Sequence, residues 1–139
     1  MINQNILIVE DELGVAHPLK KALDLSPNRI YQVELCSSGE DALGRLENKH
    51  FDLLISDFRL PGIDGLELLE QAQQLSPGIL GMLITAYGSP DVEARAKKLA
   101  KAYIPKPFHL RDIIQAVQQI LAEAASVGSG MGAPMASLR

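Results

Sequence analysis

Leu53-Leu54-Ile55-Ser56 is a run without charge that stops on Asp57. A run that is apolar on both faces suits a strand in the middle of a parallel sheet, covered from both sides. Two more segments read the same way. Ile6-Leu7-Ile8-Val9 stops on Glu10-Asp11-Glu12, and Leu80 to Thr85 ends in a hydroxyl. Tyr31-Gln32-Val33-Glu34-Leu35-Cys36 alternates with period two instead, which suits a strand with one wet face at a sheet edge. Tyr103-Ile104 is shorter, and Pro105 follows at once. Proline donates no ladder hydrogen bond, so this strand is also expected at an edge.

Helical patterns separate these strands. Leu13, Ala16, Leu19 and Leu23 mark the first. Ala42, Leu43 and Leu46 mark the second, with Ser38 as its N-cap. Leu66, Leu69, Ala72 and Leu75 mark the third, closed by Ser76-Pro77-Gly78. Val92, Ala96, Leu99 and Ala100 give a fourth with a small apolar face, expected to be the least firmly held. Ile113, Ile114, Val117, Ile120 and Leu121 give a strong fifth. Strands alternating with helices imply a parallel sheet, right-handed crossovers and helices on both faces. With the second and fifth strands at the edges, the expected architecture is α/β. It is a flavodoxin-like (βα)5 doubly wound five-stranded sheet of order 2-1-3-4-5.

The chain has 139 residues, 47% of them hydrophobic and 22% charged, which suits one globular domain and excludes a disordered chain. The domain is expected over 1–125. The Gly- and Ser-rich stretch 126–139 reads as a flexible linker or an appended tail. A single cysteine, Cys36, excludes a disulfide framework and a Cys-rich zinc site. Neither a membrane-spanning apolar stretch nor a signal-peptide pattern is visible, so the expected location is the cytoplasm, with no membrane partner. The net charge of −4 is uneven. Residues 1–94 hold six Lys/Arg against fifteen Asp/Glu, and residues 95–111 hold six Lys/Arg and no acid. An acidic total argues against direct nucleic-acid binding by this domain.

In open parallel sheets, ligands sit beyond the carboxyl ends of the strands, near the point where strand order reverses. Glu10, Asp11, Asp57, Thr85 and Lys106 all fall at that rim. Carboxylates brought together repel one another and recruit a hard cation, Mg²⁺ or Mn²⁺. An aspartate can act as nucleophile toward a phosphoryl group. A metal and a lysine then neutralise the oxygens, and a hydroxyl donates to one of them. His17, His50 and His109 show no metal-ligand spacing, and Cys36 reads as a small packed residue.

These motifs resemble those of receiver domains of two-component response regulators. Ile6 to Glu12 resembles their opening, and Asp57-Phe58-Arg59-Leu60-Pro61-Gly62-Ile63-Asp64-Gly65 their phosphoacceptor loop. Thr85-Ala86-Tyr87-Gly88 and Lys106-Pro107-Phe108 resemble their last two signatures. The resemblance covers Gln4 to about Ala125, and the four motifs in order are far more specific than any one alone. It implies that Asp57 accepts a phosphoryl group from a sensor histidine kinase or a phosphotransfer domain. Asp11, Asp57 and the backbone carbonyl of Arg59 would bind Mg²⁺ (or Mn²⁺) directly, and Glu10 through a water. Lys106 would pair with Asp57 before the reaction and with the phosphoryl group after it. Thr85 would hydrogen-bond the phosphoryl oxygen, with Tyr103 as the aromatic switch. The Lys106–Pro107 bond would be cis.

The same resemblance implies that the surface of the fourth helix, fifth strand and fifth helix repacks to control an effector domain or partner protein, transcription being one such output. A dimer through that face is a further expectation. The domain would not be an enzyme beyond promoting its own phosphorylation and dephosphorylation. Leu99 departs from the family's glycine and puts the exit of the fourth helix in question, because a left-handed helix end is costly for a branched residue. Three rivals remain. A haloacid-dehalogenase-type phosphatase needs a second acid where Arg59 stands. A non-phosphorylated pseudo-receiver lacks an acid, hydroxyl or lysine. A flavodoxin would meet an acidic loop after the first strand.

Overall fold

The computed structural model describes residues 3–27 and 30–129, with no account of side chains in 126–129. Ten elements alternate: β1 (Asn3–Val9), α1 (Leu13–Asp24), β2 (Ile30–Cys36), α2 (Gly39–Asn48), β3 (Leu53–Asp57), α3 (Gly65–Leu75), β4 (Leu80–Thr85), α4 (Pro90–Leu99), β5 (Ala102–Pro105) and α5 (Leu110–Ser129). The strands pair in parallel in the order β2-β1-β3-β4-β5, as expected from the two edge-type sequences. The helix α5 continues past residue 125 to Ser129, and the rest of the expected tail, 130–139, lies outside the described residues.

Period two sorts each central strand onto two cores. Ile6, Ile8, Leu53, Ile55, Met82 and Ile84 meet apolar residues of α1 and α5, such as Leu19, Leu23, Ile113 and Val117. Leu7, Val9 and Leu54 point the other way and meet Leu46 of α2 with Leu68, Leu69 and Ala72 of α3. A third, small cluster joins Leu66 and Leu83 to Val92 and Ala96, the only buried residues of α4. Ser38, Asp64 and Ser89 each accept a backbone N–H of the helix they begin, which sets where α2, α3 and α4 start.

Two expected markers of the helical faces are exposed. Leu13 is 63% exposed and Leu75 is 47% exposed, because each lies at the end of its helix, where the sheet no longer covers it. Leu68, which the helical pattern passed over, is fully buried: α3 packs against both α2 and α4 and so buries a wide arc. The exit of α4 is resolved without a left-handed residue. Ala100 is extended at φ −111°, so Leu99 pays no steric cost. Among the described residues no helix is long and apolar enough to cross a membrane.

Ile55 is fully buried against the α1/α5 side. Ile55→Ala should cost about 2–5 kcal/mol in urea unfolding, whereas Leu75→Ala should cost under about 1 kcal/mol.

Candidate functional site

Parallel register brings the strand ends level. Val9 lies opposite Ser56, Asp57 opposite Ile84, and Thr85 opposite Pro105. The ladder then runs on: Phe58 N–H donates to the Ile84 carbonyl at 3.0 Å and Lys106 N–H to the Thr85 carbonyl at 2.8 Å. Residues distant in sequence therefore arrive at one rim by backbone pairing alone. Glu10, Asp57 and Thr85 are each nearly sealed from water there. Glu10, Asp11 and Asp57 offer carboxylate oxygens that all lie within 4.8 Å of one another, with Asp11 on the exposed side.

Lys106 provides the counter-charge. Its Nζ lies 3.0 Å from Asp57 Oδ2, 3.0 Å from Glu12 Oε1 and 3.0 Å from Glu10 Oε1. The contacts to Asp57 and Glu12 are aligned hydrogen bonds. Glu10 Oε1 is close enough for ion pairing but lacks an aligned hydrogen bond. Burial pushes the Glu10 carboxyl up to about 7, against the pull of the nearby ammonium and with a further push from the Asp57 charge. For Lys106, burial works against the charge, but the carboxylates of Glu10, Asp57 and Glu12 outweigh it and hold the ammonium above its ordinary range.

Thr85 Oγ1 accepts the Tyr87 N–H at 2.9 Å, which leaves the hydroxyl hydrogen as a donor toward the site. The Arg59 N–H makes a long 3.4 Å bond to Asp57 Oδ1, so the Arg59 backbone also borders the cluster. The Arg59 guanidinium stacks on the Tyr87 ring at 4.5 Å and links the loops after β3 and β4. Gly65 begins α3 directly against the backbone carbonyl of Asp57. A Cβ there would overlap that oxygen, so only glycine lets α3 start this close.

Tyr103 is not part of the acidic cluster. It is half-buried on β5 against the small α4 cluster, with its hydroxyl on Gly88 in the loop that follows Thr85. The Lys106–Pro107 bond is cis, as expected. Two contributors went unassigned in the sequence reading. Glu12 closes the acidic triplet and had no role, and the Arg59–Tyr87 stack joins residues from separate loops. The only available hint was adjacency to Asp11, Asp57 and Thr85. Among the described residues no other group of His, Cys, Asp and Glu has metal-ligand geometry. His50 instead lies 3.2 Å from Asp52, near the start of β3 and away from this rim. The buried Cys36 thiol is pushed up to about 12 by desolvation, which leaves it unreactive.

Comparison with known proteins agrees with this geometry. Residues 6–118 match the family model for the response regulator receiver domain. Sporulation initiation phosphotransferase F of Bacillus subtilis is 32% identical over 87% of this chain and 96% of its own length. The response regulator receiver protein CpdR of Brucella abortus is 34% identical over 87% of this chain and 99% of its own. The transcriptional regulator NtrC of Klebsiella pneumoniae is 31% identical over 94% of this chain, which spans only 27% of that protein. Among solved structures, a CheY-like receiver domain from Methanospirillum hungatei superposes with a TM-score of 0.83 at 32% identity, covering 90% of this chain and 98% of that one.

The raised Glu10 pKa gives a pH prediction for the metal-free protein. Its folded value of about 7 lies above the ordinary 4.5, so the fold holds a proton that the unfolded chain releases. The stabilisation is full below pH 4.5 and is lost as pH rises through about 7. Melting temperatures in a chelator should therefore show wild type falling relative to Glu10→Gln across this window. Parallel curves would refute the assignment.

Proposed function

The chain belongs to the response regulator receiver family, and from that premise we propose that Asp57 accepts a phosphoryl group from the phosphohistidine of a sensor kinase or phosphotransfer domain. The observation that carries the reading is a nearly sealed Asp57 carboxylate, hydrogen-bonded through Oδ2 to an ammonium, at the level where a neighbouring strand ends in Thr85. An Asp57 carboxylate oxygen attacks phosphorus. The phosphorus–nitrogen bond to the donor imidazole breaks, and its electron pair leaves with the imidazole. Lys106 moves its pairing from the carboxylate to a phosphoryl oxygen, and Thr85 donates its hydroxyl hydrogen to another.

The donor set fits Mg²⁺ (or Mn²⁺). Three carboxylates supply hard oxygens within reach of one another, and the buried Glu10 Oε1 lacks an aligned hydrogen bond. Asp11, Asp57 and the backbone carbonyl of Arg59 would hold the ion directly and Glu10 through a water. When bound, such an ion supplies positive charge against the phosphoryl oxygens. The chain's own chemistry is limited to its phosphorylation and dephosphorylation. Arg59 cannot serve as the second acid of a haloacid-dehalogenase-type phosphatase, since a guanidinium keeps its proton. The acid, hydroxyl and lysine whose loss defines a pseudo-receiver are all present, and no flavin phosphate suits this acidic rim.

The signal then leaves through the surface of α4, β5 and α5, with Thr85 and Tyr103 moving together. Tyr103 touches the loop after Thr85 on one side and the thinly packed α4 on the other, which supports that route. Lys97, Lys98 and Lys101 border a groove between α4 and α5, and it suits an acidic effector, a partner protein or a second copy of the domain. The setting is the cytoplasm, and control of transcription is one output, since full-length relatives include transcriptional regulators.

Acetyl phosphate with Mg²⁺ should add one phosphoryl group to the wild type by intact mass and none to Asp57→Asn. Thr85→Ala should slow the gain by about 10-fold or more, the cost of one lost hydrogen bond to a charged group. A wild type that stays unmodified by acetyl phosphate and unperturbed by beryllofluoride overturns the reading.

A further inference from the structure

Lys106 Nζ holds three carboxylates at 3.0 Å: Asp57 and Glu10, both buried, and Glu12, whose side chain is 64% exposed. Water can satisfy an exposed carboxylate and cannot reach a buried one, so Glu12 is the partner with the least need of this ammonium.

The helix below gives no other use for the Glu12 side chain. Glu12 is the N-cap of α1, and its backbone carbonyl receives the Val15 and Ala16 N–H groups. Its carboxylate makes no capping bond. By contrast, the N-cap side chains of α2, α3 and α4 each bond to their own helix. The Glu12 carboxylate therefore turns away from α1 and reaches across to the end of β5.

We infer that Glu12 is a positioning residue for phosphoryl transfer: it holds one N–H of Lys106 at the mouth of the site until a phosphoryl oxygen takes its place. The inference rests on the reading of Asp57 as the acceptor. Of the ammonium's carboxylate partners, Glu12 is the one that water can take over, so it is released at least cost. While in place, it aims the ammonium outward, toward the incoming group, and competes with that group for the same N–H. No proton or covalent bond changes hands in this exchange; phosphoryl oxygens take the Lys106 N–H groups that Asp57 and Glu12 held.

The test measures beryllofluoride affinity at fixed Mg²⁺ and low ionic strength, by amide shifts in NMR titrations of wild type, Glu12→Gln and Glu12→Asp. Glu12→Gln removes the charge. Glu12→Asp keeps the charge but shortens the arm by one methylene and withdraws it from Lys106. Both variants should bind about 2- to 5-fold more tightly, the range for loss of one exposed competing ion pair. Their melting temperatures should stay within about a few degrees of wild type, since no cap bond and only one exposed ion pair is lost. Tighter binding by Glu12→Gln alone would mean general repulsion at the mouth and would overturn the positioning role, as would no change in either variant. A wild type that binds no beryllofluoride overturns the Asp57 reading along with this one. A wild type that binds, with both variants unchanged, overturns this inference alone.

Discussion

Two carboxylates, Glu10 and Asp57, sit nearly dry at the ends of neighbouring strands, and the Lys106 ammonium is what makes that arrangement tolerable. Taking such charges out of water costs several kcal/mol per ion. The cost is only partly met, since Glu10 keeps a carboxyl raised to about 7 and one oxygen without an aligned hydrogen bond. Everything around the cluster serves to hold it. The parallel register aligns the strand ends, Gly65 lets α3 begin against the Asp57 backbone, and the Thr85 carbonyl takes the backbone N–H of Lys106.

The two large cores and the one small one divide the labour. The central strands are clamped between α1 and α5 on one side and α2 and α3 on the other, with fully buried aliphatic side chains. That rigidity keeps the acids in position. The α4 cluster is much thinner, with Val92 and Ala96 as the only buried residues that α4 contributes, and Tyr103 leans on it from β5. A region with few buried contacts is the one that can change arrangement at small cost. The chemical centre and the yielding surface thus meet at the loop carrying Thr85, Tyr87 and Gly88.

Much of this was legible in the sequence because the signals were local. The unbroken apolar runs at Leu53–Ile55 and Ile6–Val9 marked central strands, and Pro105 and the alternation around Val33 marked edges. Residues just past each strand followed from the fold class. The failures share a cause as well. Leu13 and Leu75 fit a helical face by spacing, yet they lie where the sheet has ended, and spacing carries no information about how far a partner surface extends. Leu68 was passed over because α3 contacts two helices and not one. The exit of α4 was open because a helix end has several conformations, and here Ala100 takes an extended one.

Sequence alone determined the order of the sheet and the presence of Glu10, Asp11, Asp57, Thr85 and Lys106 at its carboxyl rim. Periodicity and topology act over a few residues and a few allowed connections. The tertiary structure decided how those groups share their charge. That Lys106 gathers Glu10, Glu12 and Asp57 around one ammonium depends on contacts between residues distant in sequence. So does the meeting of Arg59 with Tyr87 from separate loops. Hydrogen-bond direction and burial are set by three-dimensional distance, which no pattern along the chain contains.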